Sequence, residues 1–248
     1  AKNIIIATGS VPNSLPALPM DGRVIISSTE ALSLAKVPKH MIVVGAGAIG
    51  LELGSVWLRL GAEVTVIEYG DRIVGSADKQ ASEALKKILE KQGMKFLLSA
   101  KVTGAKVSGD GVNVTVETVA GEKLPSLGGD VVLVAAGRKP FTEGLGLDNV
   151  GISRDKAGRV EVDEHLRTKV PGIWAVGDVI KGPMLAHKAE EEGVAVMETI
   201  AGKKGHVNYF TVPSVVYTWP ELASVGYTEE QLKEKNIEYK AGKFPFTP

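Results

Sequence analysis

Across its 248 residues the chain has no cysteine. A structural disulfide, a thiolate metal cluster and a thiol nucleophile are therefore excluded within these residues. Neither sign of charge is in excess, since 29 Lys and Arg balance 29 Asp and Glu. Nucleic acid and anionic membrane surfaces favour a basic face, so no nucleic acid and no membrane is expected as a main partner. No apolar run reaches the roughly 18–20 residues that a membrane helix needs. The first residue is not Met, and no basic-then-apolar leader opens the chain. The four histidines, His40, His165, His187 and His206, show no H-E-x-x-H or similar spacing, and no metal site is expected.

What is present is ample apolar material, 44% of residues, enough for a sizeable core in one large or two small domains. Lys2-Asn3-Ile4-Ile5-Ile6-Ala7 predicts a buried strand, which needs neighbours on both sides. Met41–Val44 predicts a short strand, then a glycine turn opens a helix to about Leu60, and Val64–Glu68 predicts a second strand. That order of elements is a βαβ unit. Lys79–Gln92 has helical periodicity, with Ala81, Ala84, Leu85, Ile88 and Leu89 on one face and Gly93 as its stop. Alternation over Lys101–Val119 around Gly109-Asp110-Gly111 predicts an antiparallel hairpin. Ile173–Asp178 reads as a further sheet stretch and Leu185–Ala201 as a helix. Beyond Gly205, Val215–Thr218 and Leu222–Tyr227 predict strands of a new unit, followed by a helix over Thr228–Lys235.

An internal echo bears on the organisation. Ile4-Ile5-Ile6-Ala7-Thr8-Gly9-Ser10-Val11-Pro12 and Val132-Leu133-Val134-Ala135-Ala136-Gly137-Arg138-Lys139-Pro140 share one pattern. Each is an apolar strand, two small residues, Gly, and Pro three positions later, which suggests a duplicated unit. The second copy closes the domain that opens at Gly45. By analogy the first closes a domain opening on the order of 80 residues or more ahead of residue 1. The tail after Gly205 is too small for an independent domain, so the chain is expected to be cut short at both ends.

The turn Gly45-Ala46-Gly47-Ala48-Ile49-Gly50 carries the chemistry. In a G-x-G-x-x-G turn the first glycine permits the tight bend and the second admits a pyrophosphate to the backbone. The third lets the helix pack closely on the strand. The free N–H groups and dipole of the helix then face the phosphates. Such a motif alone is weak, but here a strand precedes it and Glu68 ends the next strand 23 residues after Gly45. A carboxylate there accepts bonds from ribose hydroxyls and opposes a 2′-phosphate by about 4 kcal/mol at 4 Å and effective dielectric 20. NAD is favoured over NADP.

The text now becomes specific. Ala7-Thr8-Gly9-Ser10, Gly45 to Trp57 (GAGAIGLELGSVW), Ala136 to Pro140, Ala175-Val176-Gly177-Asp178, Gly182 to Gly193 (GPMLAHKAEEEG) and Val212 to Tyr227 resemble the pyridine nucleotide–disulfide oxidoreductases. Within that family they are most similar to the branch that acts on lipoamide. The resemblance implies an α/β fold of Rossmann-like FAD- and NAD-binding domains, three-layered, with a parallel sheet plus an antiparallel β-meander, and the start of an α+β interface domain. It implies the end of a first FAD segment over 1–30, an NAD domain over 31–147, a returning FAD segment over 148–209 and an interface segment over 210–248.

By the same resemblance, NAD is held by Gly45, Ala46, Gly47, Ala48, Ile49, Gly50, Leu51, Glu52, Glu68, Val102 and Gly137, with Glu52 near the nicotinamide. FAD is held by Thr8, Gly9, Ser10, Asp178, Met184, Leu185, Ala186 and His187. Asp178 would bind the ribityl chain, and the helix starting near Leu185 would point at the flavin. His187 is expected in backbone contact and packing rather than acid–base work. No catalytic residue is expected here, because the family's redox cysteine pair and His–Glu dyad fall outside these residues. The implied activity is oxidation of protein-bound dihydrolipoamide through a disulfide and FAD to NAD. The implied partners are a second copy of the chain and the lipoyl domains of 2-oxoacid dehydrogenase complexes and the glycine cleavage system. The implied location is the mitochondrial matrix, or a bacterial cytoplasm. Two alternatives stand beside this reading: a sister disulfide or mercuric reductase, and a non-catalytic NAD-binding module.

Overall fold

The computed structural model describes residues 1–246, so residues 247 and 248 of the expected interface segment lie outside the described residues. In chain order, strands β1 (Ile4–Ile6), β2 (Ser10–Pro12) and β3 (Ile25–Ile26) precede helix α1 (Ser28–Ala31). Strand β4 (His40–Val44), helix α2 (Ala48–Arg59) and strand β5 (Glu63–Ile67) form the βαβ unit, and α3 (Lys79–Lys91) leads into β6 (Lys95–Leu97). Strands β7 (Ala100–Ser108), β8 (Gly111–Thr118) and β9 (Leu127–Gly129) form a meander ahead of β10 (Val131–Val134) and β11 (Arg138–Pro140). Then come β12 (Ile173–Ala175), α4 (Ala186–Ile200), β13 (Ser214–Val216), β14 (Leu222–Ser224) and α5 (Glu229–Glu234).

The centre is a five-stranded parallel sheet in the order β3-β10-β4-β5-β6. Its inner strands are continuous apolar runs because both faces are covered. Alternate side chains separate cleanly. Met41, Val43, Val64, Val66, Val131 and Leu133 enter the core shared with α2 and α3, whereas Ile42, Val44, Val132 and Val134 enter the one shared with the meander. The fold is therefore α/β in three layers: helices, parallel sheet, antiparallel meander. The hairpin turns at Gly109-Asp110, between β7 and β8, as the alternation predicts. A polar residue on the meander side of β5 is also accounted for. Buried Thr65 has its hydroxyl 2.9 Å from His40 Nε2, and His40 Nδ1 lies 2.7 Å from the Gly128 carbonyl oxygen.

One expectation is corrected. Helix α3 does not bury Ala81 and Ala84, which are exposed; it buries Ser82, Leu85 and Leu89. The face is rotated because the Ser82 hydroxyl donates to the Ile73 carbonyl at 2.6 Å, which lets a polar side chain occupy the core position. Strand β1 has within these residues one of the two neighbours that a buried strand needs. It pairs in parallel with β12 alone among the described strands, and Ile4 and Ile5 are 50% and 37% exposed.

The duplicated segments meet each other. Strands β2 and β11 pair antiparallel, with Ser10 opposite Pro140 and Pro12 opposite Arg138. The bonds flanking the pair are reciprocal: Phe141 N–H donates to Gly9 C=O at 2.9 Å, and Asn13 N–H donates to Gly137 C=O at 3.0 Å. At the far end the β13–β14 hairpin packs on α2, placing Val216 and Leu222 in the helix-side core.

The rotation of α3 is directly testable by urea unfolding of the whole protein. Leu85→Ala is expected to cost about 2–5 kcal/mol. Ala84→Lys, one residue away on the exposed face, is expected to stay within about 0.5 kcal/mol of the parent. A large loss from Ala84→Lys would restore the face read from sequence.

Candidate functional site

The turn between β4 and α2 is built around three glycines with different surroundings. Gly45 has φ +109°, and a Cβ on it would lie 2.4 Å from the Ala135 carbonyl oxygen. A Cβ on Gly50 would lie 2.0 Å from the Gly45 carbonyl oxygen and 3.1 Å from Val43. Around Gly47 the same test finds open space. The fold itself thus forbids side chains at Gly45 and Gly50, whereas Gly47 leaves a free approach from outside. The first bond of α2 runs from Leu51 N–H to Gly47 C=O at 3.1 Å, so the amides of Ala48, Ile49 and Gly50 precede it and have no helical acceptor.

No side chain caps this end of α2. That contrasts with α1, α3 and α5, whose N-termini are capped by Ser27, Asp78 and Thr228. Among the described α-helices the other without a side-chain cap is α4, which starts after Leu185. A bare helix N-terminus offers unsatisfied donors and positive potential to an anion.

Glu68 follows β5 and reaches back across the turn. Its Oε2 accepts from Ala46 N–H at 2.6 Å and its Oε1 from Gly70 N–H at 2.7 Å. The carboxylate pins the turn, and each oxygen retains a further acceptor direction. Beside it lies a cleft of about 630 Å³ lined by Gly47, Ile49, Glu68, Val102, Gly137 and Met184, among others. A second concavity on the other side of Gly47 and Glu68 includes Asp71 and Arg72.

On the other side of the β2–β11 joint, polar groups form a chain. Arg138 Nε donates to Ser10 Oγ at 2.7 Å and Arg138 Nη2 to Ser10 C=O at 2.7 Å. Ser10 Oγ in turn donates to Asp178 Oδ2 at 2.5 Å. Thr8 Oγ1 donates to Phe141 C=O at 2.6 Å. Gly9, at φ +71°, has open space around it.

Most of the residues singled out from sequence come together around these two helix ends, with differences. The Leu51 side chain is wholly buried in the core and is not among the residues lining the cleft. Glu52 is half-buried and is not among the residues lining the cleft: its Oε1 accepts from Tyr217 N–H at 2.9 Å and ties α2 to the end of β13. Ala46 spends its N–H on Glu68. Met184, grouped by sequence with the flavin residues, lines the same cleft as the glycine turn. The His187 ring donates from Nε2 to Pro213 C=O at 2.7 Å, and Ala186 opens α4. Among the described residues no group of three or more His, Asp or Glu side chains converges as metal ligands.

Sequence reasoning missed two features. Arg138 was noted only as part of a matching segment, although it bonds across the joint. Lys188 and Glu192 form a wholly buried ion pair in α4, at 3.0 Å. A Lys and a Glu four apart in a charged helix read as a solvated pair.

The comparisons with known proteins agree with this geometry. Residues 1–193 match the family described as pyridine nucleotide-disulphide oxidoreductase, and residues 212–248 match its dimerisation domain. A mitochondrial dihydrolipoyl dehydrogenase of Pisum sativum is 58% identical over 245 residues, covering 99% of this chain and 49% of that protein. Dihydrolipoyl dehydrogenase 3 of Pseudomonas putida is 57% identical over 247 residues, covering 100% of this chain and 53% of that protein. Among solved structures, LpdA of Mycobacterium tuberculosis has a TM-score of 0.85 at 31% identity, covering 94% of this chain and 50% of that one. The chain spans about half the length of the curated relatives it matches. With its three-layer fold, its bare helix ends and matches over nearly all its length, the chain belongs to the pyridine nucleotide-disulphide oxidoreductase family.

Proposed function

We propose that these residues form the nucleotide-binding centre of a dihydrolipoyl dehydrogenase. The reaction converts dihydrolipoamide, carried on a lipoyl domain, and NAD⁺ into lipoamide, NADH and a proton. When bound, FAD and NAD supply the two-electron chemistry. The whole protein also needs a redox disulfide, which this cysteine-free stretch does not contribute. The observation that carries the reading is Glu68 beside the uncapped start of α2, supported by 58% identity to a dihydrolipoyl dehydrogenase across 99% of the chain.

Each group in the chain has a task in this reading. The amides of Ala48, Ile49 and Gly50 bind the NAD pyrophosphate, with Gly47 giving it access, and Gly45 and Ala46 shape the turn. Glu68 accepts from the ribose hydroxyls with its remaining lone pairs. Val102 and Gly137 line the path of the nucleotide. On the flavin side, Asp178 and Ser10 bind the ribityl chain, and Thr8 and Gly9 pass close to it. Met184, Leu185, Ala186 and His187 present the N-terminus of α4 to the flavin ring, where the dipole favours negative charge on the reduced ring. The uncovered side of β1 suits further strands of the flavin domain. In domain terms, 1–30 and 148–209 belong to the flavin half, 31–147 to the NAD half and 210–248 to an interface. The dimerisation-domain match over 212–248 supports a homodimer. The lipoyl-bearing partners are those of 2-oxoacid dehydrogenase complexes and the glycine cleavage system. We place the protein in the mitochondrial matrix, in line with the plant relative; the Pseudomonas relative fits a bacterial cytoplasm instead.

Turnover of the whole protein discriminates the readings. Dihydrolipoamide with NAD⁺ is the expected substrate pair, and a preference for a disulfide with NADPH would assign a sister reductase. Glu68→Ala is expected to cost about 1–3 kcal/mol of nucleotide binding through two lost bonds, roughly a five- to hundredfold rise in KM for NAD⁺. The discrimination against NADP⁺ should narrow at the same time; an unchanged KM would remove Glu68 from the site. The two open and closed glycines should also separate. Gly47→Ala leaves the unfolding midpoint within about 0.5 kcal/mol of the parent but weakens NAD⁺ binding. Gly50→Ala lowers stability by about 1–3 kcal/mol or more, because its Cβ meets backbone.

A further inference from the structure

Helix α4 holds a polar network that the proposed function leaves unused. Lys188 and Glu192 are both wholly buried. Lys188 Nζ donates to Glu192 Oε1 at 3.0 Å, to Glu192 Oε2 at 3.2 Å and to Gly177 C=O at 3.1 Å. Glu192 Oε2 also accepts from Gly177 N–H at 2.6 Å, and Glu192 Oε1 from the Tyr209 hydroxyl at 2.8 Å. All three ammonium protons and both carboxylate oxygens are thus engaged. Burial and the Glu192 carboxylate push the Tyr209 phenol well above its ordinary range, so it remains a donor.

Helix stability does not explain this pair. Lys188 stands in the first turn of α4, at the positive end of the dipole, with Glu192 four residues later, which is the unfavourable order. Burying both charges is costly, and apolar residues of similar volume often serve a fold as well or better. What an apolar pair cannot do is hold a peptide. Here the two side chains grip both backbone polar groups of Gly177, at φ +79°, in the turn that continues into Asp178. Gly182, on the far side of the same loop, also lies over the Lys188 stem, within 3.4–3.7 Å of where its Cβ would be.

We infer that Lys188 and Glu192 are positioning residues for flavin binding: together they fix the Gly177–Asp178 turn and so set where the Asp178 carboxylate meets the ribityl chain. The inference rests on the flavin reading of Asp178 given above. The pair acts through backbone and touches no cofactor itself. Tyr209 anchors its outer end to the segment leading to β13, so the same network joins the turn to the interface segment.

The test uses the whole protein, stripped of flavin and titrated with FAD, alongside the thermal midpoint of the apoprotein. Lys188→Met combined with Glu192→Leu is expected to keep the apoprotein midpoint within about 5 °C. The dissociation constant for FAD is expected to rise by about tenfold or more. Adding Asp178→Asn to that variant should weaken FAD by clearly less than Asp178→Asn does in the parent, since both changes act through one carboxylate. FAD affinity within about twofold of the parent, or losses that multiply independently, would overturn the inference. Should the Leu variant fail to fold, Lys188→Met with Glu192→Gln carries the same comparison, because it stays neutral and near-isosteric while losing the bond to Gly177 C=O. A parent protein that takes up no FAD would overturn the flavin reading itself; FAD retained equally by parent and variant overturns only the role of the pair.

Discussion

Helix α2 lies so near β4 that a Cβ on Gly50 would stand 2.0 Å from the Gly45 carbonyl oxygen. That approach also requires Gly45 at φ +109°, pressed against the Ala135 carbonyl at the end of β10. Three strand ends and one helix start are therefore gathered at a single point. Glu68 completes it by bonding Ala46 N–H and Gly70 N–H, so the loop after β5 is pinned to the loop after β4. The cleft beside them lies at the carboxyl ends of the parallel strands, the usual place for a ligand in an open α/β sheet. With a side chain at either glycine the helix could not bring its bare amides there.

The capping pattern supports the same division of labour. Ser27, Asp78 and Thr228 satisfy the starts of three helices that do not border the cleft. The two helices left bare, α2 and α4, are those that border the cleft residues. A side-chain cap contributes typically about 1 kcal/mol to stability. Leaving it out at two of the five described α-helices is a local loss that only a ligand or solvent can offset.

How much of this was legible in the sequence depends on the kind of signal. The run Met41–Val44, the glycine spacing and Glu68 specify the βαβ unit because each position has one physical job, and their neighbours are close along the chain. The β7–β8 hairpin is likewise local, written in alternation around Gly109-Asp110. Failures arise where a distant partner decides. Ser82 is core only because Ile73 C=O receives its hydroxyl. Glu52 looks like a solvated or ligand-facing acid until Tyr217 N–H arrives from 165 residues away. Leu51 looks like part of the glycine motif but turns into the core. Lys188 and Glu192 are local to each other, yet their burial depends on the Gly177 loop folding over them.

The echo between Ile4–Pro12 and Val132–Pro140 has a consequence beyond ancestry. An antiparallel pair is symmetric about a local two-fold axis, so two copies of one motif can serve as each other's partner. The structure uses this: Gly9 C=O accepts from the residue after Pro140, and Gly137 C=O accepts from the residue after Pro12. Each copy follows a strand, β1 or β10, and then reaches across to bond the other. The symmetry breaks only at the side chains. Arg138 donates to Ser10, whose hydroxyl passes on to Asp178, and at the position equivalent to Arg138 the first copy has Ser10 itself. One copy thus supplies a long cation and the other a small hydroxyl, and the β2–β11 joint becomes a directed polar contact between the cleft beside Glu68, which Arg138 lines, and the Asp178 turn. A duplicated backbone motif provides the symmetric seam, and the divergence of one residue pair gives that seam its polarity.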